Sequence, residues 1–222
     1  TFDHTKIKEL RPLTLIPFDT HLMIDAPAKH VQDYIDAGSD IITVHAEVCD
    51  ESSFGEISDM LRSNQVGIGL AINPDTELPE WCYKFAELLD QVIIMSVVPG
   101  KSGQKFIEAT HEKTKRVVKD LRENKFEGYI EADGGVNLEN IGSCFEDGAR
   151  AFVGGSAIIG QNDVRMIIKE FRNQVLESRR RLLIKKAHEL GGTELVNSWI
   201  DLHVVGEKKD KLVQIAKELG FQ

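Results

Sequence analysis

The residues of this sequence best suited to chemistry lie in segment 131–136, which reads EADGGV. The apolar stretch before it predicts a buried strand, and Asn137 after it is a candidate N-cap of a helix. Asp133 would then stand at the carboxyl end of a strand. Gly134 and Gly135 would let the backbone approach a ligand near a helix N-terminus, which favours an anion. Such an arrangement suits proton transfer on a phosphorylated substrate, although the same residues could form only a tight turn.

Two further glycine-containing segments follow predicted strands. The loop after the fourth strand contains Gly100 and Gly103, which suggest a phosphate-gripping or substrate-covering loop, with an ordinary loop as the alternative. The sixth strand is followed by segment 154–157, GGSA, where backbone N–H groups near Gly155 and the hydroxyl of Ser156 could hold a phosphate. Barrels often bind phosphate with the loops after their last two strands, which are the positions of the two Gly-Gly pairs.

Imidazole and carboxylate side chains lie at the ends of the first two predicted strands. His21 could be a metal ligand or an acid/base, although a single histidine at a strand end is more often a hydrogen-bonded structural residue. Together with Asp133 it could share a divalent cation, since both ligand types suit zinc, iron or manganese. His45 and Glu47 belong to the same end, and packing with a contact at the rim is the favoured interpretation of both.

The elements that would position these side chains are short apolar strands alternating with helical segments. Such an alternation predicts a parallel sheet covered by helices. A repeat of about 25–30 residues fits a (β/α)8 barrel, with an open doubly wound sheet as the competing architecture. Strands are predicted at 17–24, 41–47, 66–72, 91–97, 128–132 and 151–154, and helices at 28–37, 54–62, 78–89 and 104–122.

The composition limits the class of protein. A length of 222 residues fits a single domain spanning 1–222. The net charge of −9 and a pI near 5.3 argue against nucleic acid or an anionic membrane as a partner. Three widely separated cysteines suggest a reducing, cytoplasmic location, and no apolar run reaches the roughly 20 residues of a membrane span.

Residues 163–222 differ in pattern from the rest of the chain. They predict a long charged helix to about residue 190, a seventh strand at 198–205 and a last helix at 208–219. We expect a divergent, mostly helical C-terminal extension that packs on the barrel or completes it. Strand edges left open would be covered by this extension or by another subunit, so a homo-oligomer is expected.

The ordered motifs resemble the ribulose-phosphate 3-epimerases, which are (β/α)8 TIM barrels of the ribulose-phosphate-binding type. The resemblance covers about residues 1–160 and includes the motifs FDTHLM, ITVHAE and GLAINPDT, then MSVVPG with GQKF, and finally EADGGV and VGGSA. It implies that D-ribulose 5-phosphate and D-xylulose 5-phosphate, sugars of the pentose phosphate pathway, are interconverted at C3. It also implies that two aspartates serve as opposed acid and base and that a divalent metal (Zn, Fe, Mn or Co) polarises the carbonyl.

Carried over to this sequence, the resemblance assigns roles to particular residues. His21 is similar to a metal ligand, and Asp133 is similar to both a ligand and one acid/base. Met23 corresponds to a residue that lines the site, and the segment from Gly100 to Gly103 to the loop over the substrate. The phosphate would be bound by Gly134, Gly135, Gly155 and Ser156.

The sequence also departs from the family pattern. Family members begin with two further strands that carry a serine and a His-x-Asp pair, and the covering loop has Phe-Gly where this chain has Lys101 and Ser102. The chain could be shortened, or it could be permuted, with Asp201 and His203 in the predicted seventh strand supplying ligands. It could also be an impaired homologue that binds phosphosugar without epimerising it. An epimerase for a related ketose phosphate such as allulose 6-phosphate is a further alternative, because a phosphate site does not measure the length of the sugar.

Overall fold

Strands and helices alternate along the residues that the computed structural model describes, which are 3–100 and 103–189. Six strands form one sheet in chain order, and each pairs in parallel with the next. The prediction of a parallel α/β architecture is therefore confirmed. The strands are β1 Asp19–Leu22, β2 Ile41–His45, β3 Gly67–Ile72, β4 Gln91–Met95, β5 Tyr129–Asp133 and β6 Ala149–Val153.

Helices follow most of the strands and cover one face of the sheet. The segment predicted as a helix at 78–89 is a 3-10 helix, Glu80–Leu88, and the helix predicted to begin at 104 begins at Thr110. The short N-terminal helix has no counterpart among the predicted elements. The α-helices are α1 His4–Leu10, α2 Val31–Ala37, α3 Glu51–Ser63, α4 Thr110–Glu123, α5 Ile141–Asp147, α6 Ser156–Ile159 and α7 Val164–Glu189.

Alternate residues of the strands separate the core from the inner face of the sheet. Ile42 and Val44 of β2 are fully buried in the main hydrophobic cluster with the covering helices, whereas Thr43 and His45 point the other way. Under α3, Phe54 contacts two further aromatic rings of the covering layer at 5.0 and 5.3 Å between centroids. This apolar layer leaves the opposite face of the sheet free to carry polar side chains.

Side-chain contacts across the inner face show that the sheet is strongly curled. Gln91 of β4 donates from Nε2 to Asp19 Oδ1 of β1 over 2.9 Å, and His21 Nδ1 of β1 lies 3.5 Å from Asp133 Oδ2 of β5. In a flat sheet with neighbouring strands about 4.8 Å apart, β1 and β5 would be roughly 19 Å apart. The six strands thus form part of a barrel wall whose inner face is concave.

Helix α7 packs on the outside of this wall. Phe171 and Ser178 are buried, and Arg181 pairs with Glu146 of α5 at 2.8 Å. The first part of the predicted extension therefore lies against α5. The strand predicted at 198–205 with Asp201 and His203, and the helix predicted at 208–219, lie outside the described residues. Among the described helices, none combines the length and the apolar character that crossing a membrane requires.

The aromatic layer under α3 gives a test of the fold. Replacing Phe54, which is fully buried, with alanine should lower the free energy of unfolding by about 3–5 kcal/mol, because the cavity cannot be refilled. Urea denaturation followed by circular dichroism measures the change. Leu176→Ala on α7, where the side chain is 53% exposed, is the control and should shift stability by less than about 0.5 kcal/mol. Equal losses in the two variants would contradict the assigned core.

Candidate active site

One cavity of about 320 Å³ opens at the carboxyl ends of the strands. Asp133 at the end of β5 lines it, as do Met95 and Val97 at and beyond the end of β4. The structure brings to this cavity the residues for which the sequence suggests substrate or phosphate contacts: Met23, Gly100, Gly103, Gly134, Gly135, Gly155 and Ser156. A carboxylate and two glycine-containing loops therefore share one cavity.

Gly134 and Gly135 occupy backbone positions that other residues would strain. Their φ angles are +115° and +65°. A Cβ on Gly134 would lie 2.4 Å from Val97 Cγ2, and one on Gly135 would lie 2.5 Å from the backbone nitrogen of Phe106. The loop after β5 thus packs directly against the segment after β4, and the absence of side chains here permits this contact.

Asn137 makes the hydrogen bonds expected of the predicted N-cap, although the regular helix begins later than predicted. Asn137 Oδ1 accepts hydrogen bonds from the backbone N–H groups of Glu139 and Asn140 at 2.8 and 3.2 Å, so it closes a turn. Helix α5 begins only at Ile141. Because asparagine favours such local turns as strongly as it favours N-caps, the pattern does not distinguish the two.

The loop after β4 is held at both ends and has room in between. Ser96 Oγ donates to the carbonyl oxygen of Gly134 over 2.6 Å, and Gln104 Nε2 donates to the carbonyl oxygen of Val98 over 2.6 Å. Gly100 and Gly103 have φ angles of +100° and +75°, and a Cβ on either would meet no atom of the described residues within 4 Å. This geometry suits a segment that lies over a bound molecule; Lys101 and Ser102 lie outside the described residues.

His21 lies next to Asp133 and lines a neighbouring cavity, which shares Met23 and Gly100 with the first one. Its Nδ1 is 3.5 Å from Asp133 Oδ2, and its Nε2 is 2.8 Å from Nε2 of His45 on the neighbouring strand. His45 Nδ1 in turn lies 3.1 Å from Glu47 Oε2. The sequence favours packing with a contact at the rim for His45 and Glu47, and the structure gives His45 a contact with His21 and Glu47 a contact with His45. Because Glu47 lies beyond the end of β2, its contact did not follow from the strand pattern.

Two carboxyl groups near the site have displaced pKa values. Burial alone would raise the pKa of Glu47, but hydrogen bonds from His45 and from the backbone N–H of Asn73 outweigh it and lower the pKa to about 2. Glu131 precedes Asp133 on the same face of β5. Its burial, together with the negative charges of Asp19 and Asp133, raises its pKa to about 8. Glu47 is therefore a carboxylate at neutral pH, and Glu131 is largely protonated.

The metal site that the resemblance implies is only partly supplied by these residues. His21 and Asp133 offer one nitrogen and one carboxylate, whereas a catalytic zinc takes three protein ligands. Within 3–100 and 103–189, no group of three His, Cys, Asp or Glu residues is arranged to hold a metal ion. Asp201 and His203 lie outside that part of the chain. The described donors do not by themselves fit a bound metal, so no reaction step is assigned to one.

Comparison with known proteins gives consistent results. A sequence model described as the ribulose-phosphate 3 epimerase family matches residues 1–159. The chain is 38% identical over 167 residues to a ribulose-phosphate 3-epimerase of Bacillus subtilis, an alignment covering 75% of this chain and 76% of that one. It is 39% identical over 163 residues to the chloroplastic ribulose-5-phosphate-3-epimerase of Arabidopsis thaliana, covering 73% of this chain and 58% of that one.

Solved structures show the same fold at low sequence identity. A 3-hexulose-6-phosphate synthase from Salmonella typhimurium superposes with a TM-score of 0.57 at 17% identity, covering 79% of this chain and 81% of that one. KGPDC from Streptococcus mutans superposes with a TM-score of 0.57 at 14% identity, covering 78% of both chains. These likenesses support the TIM-barrel type of fold.

The packing of the loop after β5 against the segment after β4 can be tested by adding a methyl group at one of the glycines. Gly135→Ala should lower the free energy of unfolding by roughly 1–3 kcal/mol, because its φ of +65° is strained for alanine and its Cβ would collide with Phe106. Gly55→Ala is the control, since Gly55 lies within α3 and the nearest described atom to its new Cβ would be Phe85 Cζ at 3.7 Å, an ordinary contact. Urea denaturation of both variants decides the point, and indistinguishable stabilities would contradict the loop packing.

Proposed function

The chain belongs to the ribulose-phosphate 3-epimerase family, and we propose from this membership and from the cavity at Asp133 that it epimerises ribulose 5-phosphate at C3. The product would be D-xylulose 5-phosphate. The observation that carries the proposal is the shared cavity of Asp133 and two glycine-containing loops. The activity named for the relatives requires a phosphate site next to a group that transfers a proton. The cavity contains residues suited to both roles.

The chemistry follows from the position of the acidic hydrogen. The C3 hydrogen of a 2-ketose phosphate is adjacent to the carbonyl, so a base can remove it and leave an enediolate. Returning the proton to the opposite face inverts C3. Asp133 is proposed as the group that exchanges a proton with one face of C3, since its carboxylate lines the cavity and lies 3.5 Å from His21.

The phosphate is proposed to lie between the two loops that follow β5 and β6. Gly134 and Gly135 keep the first loop free of side chains. Gly155 precedes α6, and Ser156, an exposed residue, adds a hydroxyl donor. Backbone N–H groups and a hydroxyl can bind a phosphate without a cationic side chain, which suits a chain of net charge −9.

A second candidate function is binding of a phosphosugar without epimerisation. It is favoured by the donor count, because only His21 and Asp133 meet at the cavity edge among the described residues. The resemblance implies a second aspartate and further ligands. In this alternative the phosphate site works and proton exchange at C3 does not occur.

The two functions differ in one observable. The full chain, supplied with Zn²⁺, Fe²⁺, Mn²⁺ or Co²⁺ in turn, should convert D-ribulose 5-phosphate in an assay coupled to xylulose 5-phosphate consumption. In D₂O it should incorporate deuterium at C3. Phosphosugar binding without deuterium incorporation would establish the second function. Allulose 6-phosphate in the same assay determines the preferred sugar length.

Asp133→Asn should lower turnover and deuterium incorporation by roughly 10²–10⁴-fold, because an amide cannot accept the C3 proton. Asp25→Asn, in the exposed loop after β1, is the control and should retain full activity. Turnover of the Asp133→Asn variant at the rate of the unmodified chain would remove Asp133 from the mechanism.

A further inference from the structure

A cavity of about 600 Å³, which we name the Lys105 cavity, adjoins the cavity at Asp133. Gly135 and Ser156, two of the proposed phosphate binders, line both. A phosphate held by these residues would therefore be accessible from the Lys105 cavity as well as from the cavity at Asp133. The two cavities share five lining residues: Gly103, Gln104, Gly135, Val136 and Ser156.

The charge of the ligand is not balanced inside the cavity at Asp133. A phosphate monoester carries roughly 1.5 to 2 negative charges at neutral pH. The described residues that line this cavity include the carboxyl group of Asp133 but no lysine or arginine. The described lining of the Lys105 cavity adds one such side chain, that of Lys105. Within 3–100 and 103–189, Lys105 is thus the one lysine or arginine that lines either cavity.

The backbone of Lys105 is fixed next to the phosphate loop. The peptide bond that joins it to Phe106 packs on this loop, since a Cβ on Gly135 would lie 2.5 Å from the Phe106 nitrogen. Two residues further on, the backbone N–H of Ile107 donates to the carbonyl oxygen of Ser96 over 2.9 Å. The flexible four-carbon stem of Lys105 therefore starts beside Gly135 and can bring the ammonium group to a phosphate there.

The ammonium group of Lys105 is available to a ligand. Lys105 is exposed, and it forms neither a hydrogen bond nor an ion pair with another residue that the structure describes. The next two lysines along the chain are engaged, because Lys113 donates to the carbonyl oxygens of Asn73 and Thr76, and Lys115 pairs with Glu112 at 2.7 Å.

We propose that Lys105 supplies the positive charge for the phosphate group of the sugar and draws it to Gly135 and Ser156. This inference deepens the proposed function and rests on it for the identity of the ligand. Backbone N–H groups and the Ser156 hydroxyl orient the phosphate oxygens, and Lys105 acts on them as a mobile point charge. Because Lys105 does not line the cavity at Asp133, its charge acts on binding and not on proton transfer at C3.

Two glutamates in the Lys105 cavity oppose this charge. Glu108 and Glu139 are exposed and line the same cavity. Glu108 Oε2 lies 3.5 Å from Nε2 of His111, whose Nδ1 contacts Asp147, so this carboxylate has a local partner. The side chain of Glu139 forms no hydrogen bond or ion pair with the rest of the described chain. Its negative charge should repel the phosphate that Lys105 attracts.

Binding of D-ribulose 5-phosphate to the full chain tests the role of Lys105. Lys105→Met keeps the apolar stem, and in about 0.05 M salt it should raise the Kd from isothermal titration calorimetry roughly 10-fold. The difference should shrink in about 0.5 M salt, because salt screens exposed charges. Lys119→Met is the matched control, since Lys119 is 73% exposed, lines neither cavity and changes the net charge equally. Equal Kd values for the two variants would overturn the inference.

Glu139→Gln should change binding in the opposite direction. Loss of this negative charge should lower the Kd for D-ribulose 5-phosphate roughly 2–5-fold at low salt. The turn should be retained, because it is the backbone N–H of residue 139 that donates to Asn137 Oδ1. A Kd that stays the same or rises would contradict the proposed balance of charges and would overturn the inference.

The kinetic result separates this inference from the proposed function. If the chain epimerises ribulose 5-phosphate, Lys105→Met should raise KM roughly 10-fold with kcat little changed, and Lys105→Arg should restore KM. Weaker binding by Lys105→Met in a chain without C3 exchange would refute the proposed function and leave the inference standing. Full C3 exchange by Lys105→Met with an unchanged Kd would refute the inference and leave the proposed function standing.

Discussion

The curvature of the sheet is the constraint on which the site depends. His21 and Asp133 stand on β1 and β5, four strands apart, yet their side chains approach to 3.5 Å. Deeper in the concave face, Gln91 reaches both Asp19 and Thr43 through one amide group, at 2.9 and 2.6 Å. In a flatter sheet β1 would lie roughly 14 Å from β4 and roughly 19 Å from β5, which is farther than the Gln91–Asp19 and His21–Asp133 pairs can span. These polar contacts therefore depend on the curvature of several strands together, and no single sequence motif produces them.

The same curvature explains why two different kinds of residue line the cavity. Where backbone meets backbone, as between Gly135 and Phe106, a side chain would not fit, and glycine is required. Where side chains converge, polar groups form hydrogen bonds, as Glu47 does with His45 and Asn73. Glu131 differs, because burial and two neighbouring carboxylates raise its pKa to about 8 and leave it largely protonated near neutral pH. The polar groups of the inner face are thus stabilised by hydrogen bonds near the carboxyl ends of the strands and, at Glu131, by protonation of the carboxyl group.

Much of this could be predicted from the sequence because it depends on local patterns. The six strands follow from short continuous apolar runs that alternate with helical segments, and Asp133 with its glycines follows from the strand-to-loop transition. The predictions differ in detail at Glu80–Leu88, which is a 3-10 helix, and after Asn137, where the regular helix begins only at Ile141. The contact of His45 with His21 could not be predicted from the sequence, since it depends on which strands become neighbours and in what register.

Under the proposed function, one ketose phosphate lies in this cavity with its phosphate at the two loops and its C3 at Asp133. A crystal structure of the full chain with D-ribulose 5-phosphate tests it most directly. We expect the phosphate to lie between the Gly134–Gly135 loop and the Gly155–Ser156 loop, with C3 within about 3–3.5 Å of an Asp133 carboxylate oxygen. A sugar phosphate bound elsewhere on the chain, or one whose C3 points away from Asp133, would contradict it.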